Sequence, residues 1–137
     1  MHVEVDWKGQ ASFLGKSSMG HEVLMDGPPK YGGQDQGVRP MEMVLLGLGG
    51  CASFDVVHFL KKARQKIASC RVEIRAERAS GYPAVFEKIH LHFIVKGEDL
   101  VAKTVDRMVS LSAEKYCSAS VMLARAGAEV THSFEIV

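Results

Sequence analysis

The sequence predicts an α+β fold: β-hairpins at the N-terminus, one long buried central helix, and an antiparallel or mixed sheet with its helices packed on one face. Three observations predict it. Two stretches, Cys70 to Glu77 and Lys88 to Lys96, alternate apolar and polar residues strictly, as half-buried strands do. A run without charge, Met43 to Phe54 (MVLLGLGGCASF), reads as the interior of a helix. The resulting order, β-β-β-α-β-β-α-α-β, contains no repeating βαβ unit.

In chain order, residues 2–7 (HVEVDW) alternate and place Val3, Val5 and Trp7 on one face, and short strand signals follow at 11–15 and 21–26. Gly9 and the segment from Gly15 to Gly20 supply turn chemistry between them. Gly27 to Val38 (GPPKYGGQDQGV) has no periodicity and reads as a long loop of the kind that is functional or mobile. The central helix opens at Pro40, where a missing N–H costs nothing, with Glu42 complementing the N-terminal dipole. Lys61, Lys62, Arg64 and Lys66 crowd its far end, which favours cations. A membrane span needs about 20 predominantly apolar residues. This stretch is bracketed by Glu42 and broken by Asp55 and His58, so a helix buried on nearly all sides within a soluble fold is expected. Gly47, Gly49 and Gly50 each cost roughly 1 kcal/mol in a helix interior, so another helix or a second subunit is expected to approach their backbone closely.

Beyond the helix, Cys70, Val72, Ile74 and Ala76 are expected to face inward, as are Ile89, Leu91, Phe93 and Val95, with Gly81, Tyr82 and Pro83 turning the hairpin. Glu98 to Ser112 shows helical spacing at Leu100, Val101, Val105, Met108, Val109 and Leu111, with acids in the first turn. A break near Ser112 leads to a short helix at about 117–126 that Gly127 ends, and a last strand occupies 129–136. The length of 137 residues suits a single domain, 1–137.

Composition narrows the function. With 17 Lys+Arg against 16 Asp+Glu, the electrostatic argument for nucleic acid or an anionic membrane as partner is missing. Met1 leads straight into an alternating segment rather than a charged and apolar leader, and three cysteines are too few for a secreted disulfide framework. A reducing cytoplasm is the expected location. No Cys-x-x-Cys, His-x-x-His or phosphate-loop pattern occurs, so neither a metal nor another cofactor is expected. His90 and His92 fall on the outward face of a strand, His132 reads as a satisfied core histidine, and His58 has no obvious partner.

Cysteine chemistry is what remains. Cys70 points inward beside Val72 and Ile74 and reads as packing. Cys51 lies mid-helix, where a small core residue is the plain reading. Cys117 opens a short helix, a place that lowers a thiol pKa by favouring the thiolate. One functional reading unites Cys51 and Cys117: a redox pair cycling through sulfenate and disulfide. Asp55, one turn after Cys51, reads as a hydrogen-bond partner or subunit contact, because a carboxylate there disfavours a thiolate. Arg39 and Glu42, at or just before the helix start, could pair near the site or simply start the helix beside the loop.

The runs RPMEMVLLGLGGCASFDVV (Arg39 to Val57) and SAEKYCSASVML (Ser112 to Leu123) together resemble the OsmC/Ohr family of thiol-dependent hydroperoxide reductases, and the likeness extends over essentially the whole chain. The resemblance implies an OsmC-like subunit in an intertwined homodimer, with active sites at the subunit interface. It implies Cys51 as the nucleophile attacking an organic hydroperoxide, Cys117 as the resolving thiol, and a dithiol reductant to recycle them. In well-characterised branches of the family a glutamate follows the motif proline and orients an arginine onto the nucleophile. Here Met41 takes that place and the acid is Glu42; Arg39 and Lys8 are the cations on offer. A step of one residue turns a side chain about 100° around a helix. A second reading therefore stands beside the peroxidase: a protein that binds a small apolar or electrophilic ligand, or senses redox state, with Met41 and Met43 as adaptable contacts.

Overall fold

The computed structural model describes all residues from Met1 to Val137. They form two compact units, 1–46 and 47–137. The first holds three antiparallel strands in the order β1 (Val3–Gly9), β2 (Ser12–Ser17) and β3 (Glu22–Asp26). Val3, Val5 and Trp7 share a face, as their spacing predicts, but that face stays exposed.

The loop at 27–38 is ordered by one carboxylate. Asp26, only 2% exposed, accepts backbone N–H bonds from Gln34 (2.8 Å) and Gln36 (3.2 Å). Pro29–Tyr31 makes a short 3₁₀ turn within it. The Arg39 guanidinium closes the loop from the other side, donating to the carbonyls of Asp26 (3.2 Å) and Gly27 (2.8 Å) and to the Asp35 carboxylate. The amide bonds hold the Asp26 pKa below its ordinary value, with the Arg39 charge adding to the effect. A carboxylate with a lowered folded-state pKa stabilises the fold above its unfolded value of about 3.9 and loses that contribution as pH falls through the folded value. Acidification to about pH 3 is therefore expected to speed exchange of the Gln34 and Gln36 amides, corrected for intrinsic rates, before those of the second unit's central strand. Unchanged protection of both amides at that pH would contradict this account.

Helix α1 (Pro40–Lys62) has the bounds its terminal residues predict. Arg39 accepts the first helical N–H, from Met43 (2.9 Å), and Glu42 reaches back to the Arg39 backbone N–H (3.0 Å), one half of a capping box. Within a single chain its burial is confined to one face. One stripe, Leu48, Gly49, Ala52, Val56 and Leu60, is buried, while Leu46 and Phe54 are 56% and 72% exposed. Only one of the three glycines meets a close neighbour within the chain. A Cβ on Gly49 would stand 3.0 Å from Ile74 Cδ1 and 3.3 Å from Val72 Cγ1, whereas at Gly47 and Gly50 the space is open. The neighbour is a strand, β4 (Lys66–Arg78), not a helix.

In the second unit, β4 (Lys66–Arg78) and β5 (Phe86–Glu98) form a long antiparallel hairpin, and β6 (Glu129–Ile136) pairs with β5 in parallel, giving a mixed sheet. Ile89, Leu91, Phe93 and Val95 are at most 1% exposed, as their alternation predicts. The helix predicted from Glu98 begins later, as α2 (Ala102–Leu111), with no acid in its first turn. Glu98 instead ends β5, pairing with Lys66 in the ladder and through an ion pair of 2.9 Å. A single π-helical turn, Ser112–Tyr116, forms the break near Ser112 and leads into α3 (Ser118–Arg125). Val105 and Val109 bury the inner face of α2.

Candidate functional site

The site is built from the middle of α1 and the start of α3. Cys51 and Asp55 stand one turn apart on α1, and their spacing puts them on one face. Cys117 caps α3, its extended backbone (φ −66°, ψ 106°) ending the preceding wide turn. Wide turns of this kind recur at functional sites because they re-aim a side chain without ending the helical run. Three bonds pin this one: Ser112 Oγ donates to the Ala52 carbonyl (3.0 Å), Cys117 N–H donates to the Ser112 carbonyl (2.9 Å), and Ser120 Oγ donates to the Ala113 carbonyl (2.5 Å). The first of them ties the turn to α1 one residue from Cys51. Ser112 and Ser120 are fully buried, so each hydroxyl is spent on holding backbone.

The result brings together three groups. The sulfurs of Cys51 and Cys117 and a carboxylate oxygen of Asp55 lie within 4.8 Å of one another. Cys117 is fully buried, whereas Cys51 and Asp55 are partly exposed, so solvent and small reagents meet Cys51 first. Asp55 Oδ2 is buried without a hydrogen-bond partner, so the expected hydrogen-bonding role of this residue is unmet at that oxygen. Burial raises the Asp55 pKa, and the nearby His58 partly offsets the rise. His58 itself stacks on Phe54, ring centroids 6.2 Å apart.

The helix-start argument for a lowered Cys117 pKa fails here. The cap is real, since Ser120 N–H donates to its sulfur at 3.4 Å. Burial outweighs it, and together with the Cys51 thiol pushes Cys117 up to about 11. A buried thiol pays the full desolvation cost of becoming an anion, while an eight-residue helix offers only a partial charge in return.

Of the other residues the sequence singles out, Glu42 bonds the Arg39 backbone, and the Arg39 guanidinium is occupied by the loop it closes. Lys8 lines a depression of the first unit with Gln10, Gln34 and Gln36. Cys70 is half-buried on β4, its pKa raised by burial, as a packing residue's would be. His90 and His92 bond Thr131 and Ser133 on β6, and His132 meets Ser110 at 3.1 Å. Ser112, expected only as the break before the short helix, and Ser120, the serine of the Cys-x-x-Ser that opens it, have no site role legible along the chain; both pin the turn that carries Cys117.

Comparison with known proteins agrees with this architecture. Residues 33–133 match the family model described as OsmC-like protein. The chain is 47% identical to Protein YhfA of Escherichia coli strain K12 over 137 residues, covering all of this chain and 98% of that one. A crystal structure of a hypothetical protein from Aquifex aeolicus VF5 is similar with TM-score 0.83 and 28% identity, covering 99% of this chain and 96% of the other. An organic hydroperoxide resistance protein from Elizabethkingia anophelis shares the fold with TM-score 0.73 at 19% identity, covering 98% and 97%.

Proposed function

Because the chain belongs to the OsmC-like family, we propose that it is a thiol-dependent peroxidase reducing organic hydroperoxides through Cys51, with Cys117 resolving. The observation that carries this reading is the meeting of these two thiols, far apart in sequence, beside one carboxyl group. The hydroperoxide resistance named for the Elizabethkingia protein of the same fold supports it.

In the first step the Cys51 thiolate attacks the terminal oxygen of ROOH. The O–O bond breaks, Cys51 becomes a sulfenic acid, and the alkoxide takes a proton to leave as ROH. In the second, the Cys117 sulfur attacks the sulfenic sulfur, its proton leaves with the hydroxyl as water, and a disulfide forms. An external dithiol returns both cysteines to thiols. The arrangement suits this order. Cys51, the more exposed, meets the peroxide, and Cys117, buried and with its pKa at about 11, is held back until a sulfenate stands beside it. Arg39 and Glu42 act here by shaping the helix start and the loop beside it rather than by the activation pattern of the better-known branches. The working unit is a cytoplasmic homodimer: the exposed Leu46 and Phe54 on α1, and Val3, Val5 and Trp7 on β1, leave apolar faces for a second copy to cover.

A binding role has one observation in its favour. Val3, Val5, Val23, Met25 and Met43 line a largely apolar depression in the first unit, suited to an adaptable contact with a small ligand.

Intact-mass analysis before and after one equivalent of cumene hydroperoxide separates the two. The peroxidase reading expects loss of two hydrogen atoms per chain, mapped to a Cys51–Cys117 disulfide and reversed by a dithiol. Three unreacted thiols under excess peroxide would refute it and leave the binding role.

A further inference from the structure

The Cys51, Asp55 and Cys117 cluster has a second capacity that peroxide chemistry does not require. Two thiol sulfurs and a carboxylate oxygen converge within 4.8 Å of one another, from the middle of one helix and the cap of another. A tetrahedral zinc ion, with Zn–S near 2.3 Å and Zn–O near 2.0–2.2 Å, holds such donors roughly 3.5–3.8 Å apart. Closing the observed spacing to that range takes at most about 1.3 Å per pair, within reach of side-chain rotation. Asp55 Oδ2 is buried with no hydrogen-bond partner, the kind of orphaned acceptor that a metal ion satisfies. The donor set selects the ion: two soft thiolates favour zinc over the oxygen-seeking magnesium and calcium. Cys51 and Asp55 are partly exposed, which leaves a path for the ion and a fourth position for water.

We propose that the reduced protein binds one zinc ion per chain through Cys51, Asp55 and Cys117. Binding exchanges protons for metal: Zn²⁺ displaces one proton from each thiol, and the two thiolates, the carboxylate and a water complete the shell. Both sulfurs are then committed to the metal. Zinc-loaded protein resists oxidation and alkylation, and protein carrying a Cys51–Cys117 disulfide offers no thiolate for the ion. No short-spacing motif marks this site along the chain, because its ligands come from α1 and from the cap of α3.

The test titrates zinc into fully reduced protein in chelator-treated buffer, against a chromophoric chelator. One equivalent bound per chain is expected, with proton release measured by an indicator dye in the same titration. Cobalt(II) in place of zinc should give a thiolate-to-metal charge-transfer band. Asp55→Asn is expected to weaken zinc binding by about ten-fold or more, Cys51→Ser and Cys117→Ser to remove the cobalt band, and Cys70→Ser to change neither. The unaltered protein supplies a readout independent of how the variants fold: zinc should slow alkylation of Cys51 and Cys117, located by peptide mass, and leave Cys70 unprotected. Absence of binding by reduced protein, equal protection of all three cysteines, or a cobalt band that survives Cys51→Ser would overturn the proposal. None of these results depends on whether hydroperoxides are turned over.

Discussion

Cys51→Ser is expected to lower hydroperoxide consumption by at least about a thousand-fold, the scale on which a covalent nucleophile's removal is felt. The two cysteines are not symmetric, and the prediction uses the asymmetry. Cys51 is the partly exposed thiol, Cys117 the fully buried one whose pKa stands at about 11. A serine hydroxyl cannot form a sulfenate, so the first step disappears and no residue takes it over. Cys117→Ser leaves that first step intact. One equivalent of peroxide should still be consumed per chain, but the product stops at the Cys51 sulfenic acid, which a dione trap captures and excess peroxide drives on to sulfinic acid. Stopped-flow peroxide consumption, with peptide mass to place the oxidation, reads both outcomes. Full activity in Cys51→Ser would sink the assignment. Circular dichroism of each variant is the control, since Cys117 also caps α3 through Ser120.

The largest loss of stability is expected from Phe93→Ala. Phe93 is fully buried at the centre of the mixed sheet, opposite Val72 on β4 and Phe134 on β6. Truncating a buried phenylalanine costs about 3–5 kcal/mol, part lost transfer energy and part cavity. Domains of this size have about 5–15 kcal/mol to lose, so about a fifth or more of the total would go. The check is the midpoint of urea unfolding, which should fall steeply at nearly constant slope. A shift equal to that of an exposed control such as Val85→Ala would show that the sheet's centre does not carry the second unit.

Much of the fold is legible along the chain because its signals are local. The alternation at Lys88 to Lys96 can be satisfied only by a strand with one wet face, and the structure buries those four apolar side chains. The proline, the acid and the closing lysines bound α1 correctly, since helix ends are chosen by groups within a turn of them. Where pairing partners were distant, local reading slipped. Glu98 reads as an acid in a helix's first turn until Lys66, far upstream, holds it in a ladder. The face of α1 that stays open was equally hidden, because an apolar residue reports that it wants cover and not what supplies it.

The candidate site divides in the same way. The identities of Cys51 and Cys117 as the pair to watch came from their sequence surroundings alone. That they meet, and that Asp55 joins them with one oxygen unpaired, was decided by tertiary packing. So was the sign of the Cys117 shift, which local reasoning placed downward and burial sends up. Short-range rules weigh a helix end, a neighbour's charge or an apolar period. Desolvation and the meeting of distant side chains depend on everything packed around them, and only the folded chain assembles that surrounding.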